Sequence, residues 1–145
     1  STKQKYHFTF PKVSGLNYSF SGLKTQFLYF LNKERNKNPL FIKQELNDIC
    51  GSYQSHLIDY LLVKFKLALE MYPCKDIAIA GGVSANTHLR EKFTKLGVQK
   101  GLNVHIPKMD FCTDNAAMIA MSGFFLEKEG IFSDLSVSAK ARLRM

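Results

Sequence analysis

Residues 76–86 read DIAIAGGVSAN, and this stretch limits the fold more than any other. Ile77-Ala78-Ile79-Ala80 is a short, wholly apolar run, the composition expected of a strand covered on both faces. Two glycines follow, and a helical pattern then runs from about Ala85 through Leu89, Phe93 and Leu96 to a close at Gly101. Asn103-Val104-His105-Ile106-Pro107 reads as a second strand. The loop KMDFCT hands over to a helix that starts near Asp114, carries Ala117, Met118, Met121, Phe124, Phe125 and Leu126, and closes at Gly130. Strand, helix, strand, helix is a βαβα pattern, so the two strands are expected to be parallel with a right-handed crossover. In open α/β sheets, ligands lie at the carboxyl ends of the strands. Residues 81–86 and 112–114 both fall at such ends.

The first half of the chain is helical by its periodicity. YHFTF, residues 6–10, alternates like a short strand. After a turn, Leu23, Phe27, Phe30 and Leu31 recur at helical spacing, with Ser21 placed to cap the start. ERNKNP ends that helix. A longer helical stretch over residues 41–72 carries Phe41, Leu46, Ile49, Leu57, Ile58, Leu61, Leu62, Phe65 and Leu69, with a break expected at Gly51-Ser52 and a stop at Pro73. The fold class is therefore α/β and helix-rich, a small parallel sheet flanked by helices, in one domain spanning residues 1–145.

Composition excludes several classes. A hydrophobic content of 46% with 22% charged residues suits a globular core, and the longest apolar runs are broken by Lys64, Lys66 and Lys75, so no membrane span is expected. Cys50, Cys74 and Cys112 show no metal-ligand spacing and fit reduced thiols in a cytoplasm. The net charge is +8, and the excess is uneven. Up to Lys43 there are eight basic residues against the single acid Glu34, and Lys140, Arg142 and Arg144 cluster near the end. Such a bias suits a polyanion such as RNA, and equally a solvated surface.

The strand-end loops hold the candidate chemistry. Glycines directly after a strand let a base, ribose or phosphate press against the backbone. Asn86, at the start of the next helix, can bond a sugar hydroxyl through its amide, or can simply cap the helix, as can Ser84. Asp114 is open to the same pair of readings, a helix cap or a carboxylate offered to a metal. His7, His56, His88 and His105 form no HxxH, HxxxH or HExxH pair. His56 and His88 are expected on solvated helix faces and His105 packed on its strand. Lys24 after Gly22 lacks the glycine spacing of a phosphate loop. Spacing alone yields no catalytic constellation.

Three blocks in order, FSGLKT (20–25), AGGVSANTHLR (80–90) and CTDNAAMIA (112–120), closely resemble the TsaD family, also called Gcp. These are tRNA threonylcarbamoyladenosine synthases, once labelled O-sialoglycoprotein endopeptidases. The lysine in FSGLKT resembles the bacterial and organellar branch. The resemblance implies an actin/Hsp70/sugar-kinase type of fold, ribonuclease H-like, with two lobes around a nucleotide cleft. It also implies transfer of threonylcarbamoyl from threonylcarbamoyl-AMP to the adenosine beside the anticodon of tRNA. Gly81, Gly82 and Asn86 then match the adenosine-binding segment, Asp114 matches a metal-ligand aspartate, and Ser21, Gly22 and Lys24 match a block without an assigned role. One divalent metal per full-length subunit, iron or zinc, is implied, together with the partner proteins TsaB and TsaE.

The chain departs from the family in lacking the HxxxH pair that supplies the other metal ligands and the SGGHT strand. It is thus expected to be the C-terminal portion of a longer enzyme. Alone it should be inactive, hold no metal, and self-associate through an exposed strand edge or apolar face. An ATPase or kinase of the same superfold would share the glycine-asparagine segment but not all three blocks. The older metal-dependent endopeptidase label finds no HExxH here, and a non-enzymatic RNA-binding module rests on charge alone.

Overall fold

The computed structural model describes residues 4–138; the basic cluster Lys140, Arg142 and Arg144 lies outside them, as does Lys3. The ordered elements are α1 (Phe20–Lys37), α2 (Phe41–Met71), β1 (Asp76–Ala78), α3 (Thr87–Lys100), β2 (Asn103–His105) and α4 (Ala116–Lys128). The chain is helix-rich α/β, with a two-stranded parallel sheet in which Asp76 pairs with Asn103, Ile77 with Val104 and Ala78 with His105.

α2 is the spine, and two cores form along it. On one side Ile58 and Leu62 of α2 meet Ile77 of β1 and Leu89, Phe93 and Leu96 of α3. Phe65 and Phe93 meet edge to face within this core at 5.0 Å. α3 ends on Gly101, whose φ of +66° is the left-handed closing conformation that glycine adopts without strain. Gly97 serves a different end. A Cβ there would fall 2.0 Å from Cγ2 of Val104, so only glycine lets α3 lie directly on β2.

The second core is aromatic. Phe27 of α1 stacks on Tyr53 of α2 at 3.8 Å, and Phe8 and Phe10 from the segment preceding α1 meet His56 at 5.5 and 4.8 Å. Residues 6–10 form no strand. They are extended chain, and the amides of Lys5 and Tyr6 both donate to the buried hydroxyl of Ser52 instead of to a neighbouring strand. Further along, Lys64 donates to the carbonyls of Val13 and Gly15, and the Tyr60 hydroxyl accepts from the amide of Ser19.

Several expectations are corrected by this arrangement. α2 runs unbroken through Gly51-Ser52, because Ser52 faces inward and its hydroxyl holds the N-terminal segment rather than competing for the helix backbone. Ser19, not Ser21, caps α1, accepting from the amide of Gly22. His56 is buried in the aromatic core rather than solvated, while His105 is largely exposed and bonds Asp76 at 2.9 Å. The sheet is covered on one face only. Ile77 is buried, whereas Asp76 and Ala78 are exposed, so the apolar run 77–80 marks small side chains on an open face rather than burial on both. No helix among the described residues is long and apolar enough to cross a membrane.

Candidate functional site

The open face of the sheet and the two loops beyond its carboxyl ends enclose a cleft of about 460 Å³. Its floor is Ala78 and Ala80, whose short side chains leave the space unfilled, and His105 continues it from β2. Gly81, Gly82, Thr113 and Asp114 rim the cleft. This is the position that a parallel β-α-β unit reserves for ligands.

Local chemistry explains the loop after β1. Gly81 has φ +81° and ψ 172°, a conformation essentially closed to residues with a Cβ. It turns the chain into a single 3-10 turn, Gly82–Ala85. An added Cβ on Gly82 would reach toward Thr113 at 3.9 Å, an ordinary contact, so Gly82 is not required by crowding within the chain itself. Gly81 shapes the turn and Gly82 keeps the rim low.

Asn86 stands apart from this cleft. Its Oδ1 accepts from the amide of Leu89 at 3.0 Å, the N-cap bond of α3, and its Nδ2 donates to Gln54 of α2 at 3.2 Å. Asp114 does line the cleft and does not cap α4. That bond is made by Asn115, whose side chain accepts from Met118, so α4 begins two residues beyond Asp114. Asp114 is exposed, and among the described residues no group of three or more His, Cys, Asp or Glu side chains could hold a metal ion. One carboxylate does not make a metal site, and the residues present do not fit a resident ion by themselves. Ser21 and Lys24 are exposed on the first turns of α1 and do not line the cleft. Gly22 has a packing reason, since a Cβ there would meet Ser19 Oγ at 3.0 Å and Pro11 at 3.4 Å.

One residue that spacing does not single out organises the site. Arg90 reaches out of the first turn of α3 and donates to the carbonyl of Ser84 at 3.0 Å and to that of Pro107 at 2.8 Å. Its guanidinium also lies 3.7 Å from the buried Sγ of Cys112, which donates to the carbonyl of Lys108. Both loops that rim the cleft are thereby tied to one side chain. A hint was present in the sequence, because a cation in the first turn of a helix opposes the helix dipole and calls for another role. His105 and Asp76 form the remaining polar pair on the open face, and the imidazole, with the Asn103 amide, holds the Asp76 carboxyl below its ordinary pKa.

The profile of the TsaD family, described as tRNA N6-adenosine threonylcarbamoyltransferase, matches residues 1–121. A protein of that name from Riemerella anatipestifer is 46% identical over 140 residues, covering 95% of this chain and 41% of the relative. Another from Cytophaga hutchinsonii is likewise 46% identical over 140 residues, and one from Thermosipho africanus is 41% identical over 145. This chain therefore spans about two-fifths of the length of the relatives it matches. The match spans most of the chain, and all three sequence blocks lie within the matched residues, so the chain belongs to the TsaD family.

Proposed function

We propose that this chain is the nucleotide-facing part of an enzyme that transfers a threonylcarbamoyl group from threonylcarbamoyl-AMP to N6 of the adenosine next to the anticodon in tRNA. In that reaction the amine nitrogen bonds to the carbamoyl carbon, AMP leaves with the oxygen that joined it, and the amine gives up a proton. The observation that carries the reading is the joint presence of the family match and a strand-end cleft on which Gly81, Gly82 and Asp114 converge.

In this reading residues 1–145 form one domain, the C-terminal part of an actin/Hsp70/sugar-kinase-like, ribonuclease H-like lobe. The adenylate lies on the low rim at Gly81 and Gly82, where backbone rather than side chain faces the ligand. Where the ribose extends past the Gly81–Gly82 rim, Asn86 keeps Oδ1 on its helix cap and turns Nδ2 from Gln54 to a ribose hydroxyl, an exchange that costs one exposed hydrogen bond. Arg90 holds the two rim loops at a fixed separation. Asp114 offers one carboxylate to a divalent ion, iron or zinc, whose other ligands lie outside these residues. Partners of the TsaB and TsaE type and a cytoplasmic setting go with the same reading, and the chain on its own is inactive and self-associating.

The test uses a protein of the relatives' full length that carries this chain. Incubated with threonylcarbamoyl-AMP and a tRNA decoding ANN codons, it should convert one adenosine per tRNA to the threonylcarbamoyl form, seen by mass spectrometry of the nucleosides. Asp114→Ala should abolish the product. Phosphorylation of a sugar by ATP, with no modified nucleoside, would contradict the assignment and favour a kinase of the same superfold.

A further inference from the structure

We propose that the groove between α2 and α3 is a docking surface for the phosphodiester backbone of RNA. This inference rests on the transferase reading only in taking tRNA as the RNA concerned. The groove is separate from the strand-end cleft and has a volume of about 360 Å³. Lys66 rises from its α2 wall and Lys92 and Lys95 from its α3 wall, with Gln99 following one turn on. Asp59 is its one carboxylate, and Lys92 occupies it at 2.6 Å while also reaching Ser55. Lys66 and Lys95 are exposed and make no ion pair among the described residues. The groove thus carries a lysine free of ion pairing among the described residues on each wall, while its own acid is already paired.

Three other lysines, by contrast, are engaged within the chain. Lys5 is bound by Glu45 and Asp48, Lys37 by Glu34, and Lys64 by two carbonyl groups. The groove also has the second feature of a single-stranded nucleic-acid channel, an aromatic ring at its wall. Phe10 closes one end, stacked on His56 at 4.8 Å and still 40% exposed. Flexible lysines that contact phosphates position a strand without reading its sequence, so the surface suits the RNA backbone and the ring an unpaired base beside it. An acidic protein segment would find the cations but no use for the ring.

The experiment measures binding of a labelled anticodon stem-loop RNA to the 145-residue chain by fluorescence anisotropy, across a series of salt concentrations. K66E/K95E should weaken binding by about tenfold or more and make the log–log salt dependence shallower by about 1–2, the number of phosphate contacts removed. K66Q/K95Q, milder and with both sites exposed, should fall between it and the unaltered chain. The control pair K24E/K33E, on exposed α1 positions, should weaken binding by no more than about threefold. Unchanged affinity in K66E/K95E, an equal loss in the control pair, or displacement of the RNA by polyglutamate as readily as by unlabelled RNA would overturn the proposal. The readout is affinity rather than product. A protein of the relatives' full length that carries this chain, binds RNA through this groove and transfers nothing overturns the transferase reading alone, and full transfer by it with unaltered affinity in K66E/K95E overturns the groove alone.

Discussion

Arg90 and Asn86 show how closely packing and chemistry are bound together in the loop between β1 and α3. Arg90 satisfies two carbonyls in separate loops through two different nitrogens, Nη1 and Nη2, whose separation in the planar guanidinium fork one ammonium nitrogen lacks. Arg90→Lys should therefore lose one of the two bonds and cost about 1–2 kcal/mol in chemical denaturation. A stability equal to that of the unaltered chain would mean that the loops hold without the clamp. Asn86 can be separated into its two halves. Asn86→Asp keeps an oxygen for the Leu89 amide and should leave the melting temperature nearly unchanged, yet it removes the Nδ2 donor. Asn86→Ala removes both, and should lose about 1 kcal/mol of stability through the missing cap. If Nδ2 serves the nucleotide, both variants weaken adenylate binding in the full-length protein by about 1–3 kcal/mol. Normal binding by Asn86→Asp would leave Asn86 as a cap and nothing more. Spacing left both roles open at Asn86 because a cap and a ligand donor use the same side chain at the same place in the chain.

At the scale of elements, α2 accounts for most of what periodicity did not reveal. A buried hydroxyl that accepts two amides from 46 and 47 positions upstream leaves no local trace, so Ser52 beside Gly51 reads as a breaker although it lies inside a continuous helix. The same partner removes the supposed strand at 6–10, since alternation signals one buried face but not where the backbone hydrogen bonds go. The β-α-β unit was legible because its signals are local: glycine after the strand, a left-handed glycine closing α3, and apolar residues at helical spacing between. The cleft was legible for the same reason, while the Arg90 clamp depends on two loops meeting in space. His56, one turn beyond Ser52, supplies a test of the aromatic core. Burial lowers its pKa from the ordinary 6.5, opposed by a backbone hydrogen bond with Thr9 and by Asp59. Below about pH 6.5 the unfolded chain therefore takes up a proton that the folded chain resists, and stability falls with pH. Denaturation midpoints should drop between pH 7 and pH 5 in the unaltered chain and drop less in His56→Phe. Identical pH profiles would show that the imidazole is not held neutral by the core.

At the scale of the whole molecule, burial is uneven. The two cores along α2 are closed, whereas every residue of α4 is exposed, Ile119 at 76% and Phe125 at 56% among them, and the face of the sheet beside the cleft is open. An apolar helix so little covered among the described residues is costly in water and associates with another surface. The chain alone should sediment as a dimer or larger species at micromolar concentration, and Ile119→Glu with Phe125→Glu should return it toward a monomer. A monomer before substitution would refute that expectation. The central claim is that the strand-end cleft receives the adenylate, and it is tested most directly by nuclear magnetic resonance of the isotope-labelled chain during titration with AMP. The account predicts shifts concentrated at the amides of Gly81, Gly82, Thr113 and Asp114, weaker ones at Asn86, and none at Lys66 or Lys95. Shifts confined to the groove between α2 and α3, or an absence of shifts around Gly81 and Gly82 at saturating AMP, would contradict it.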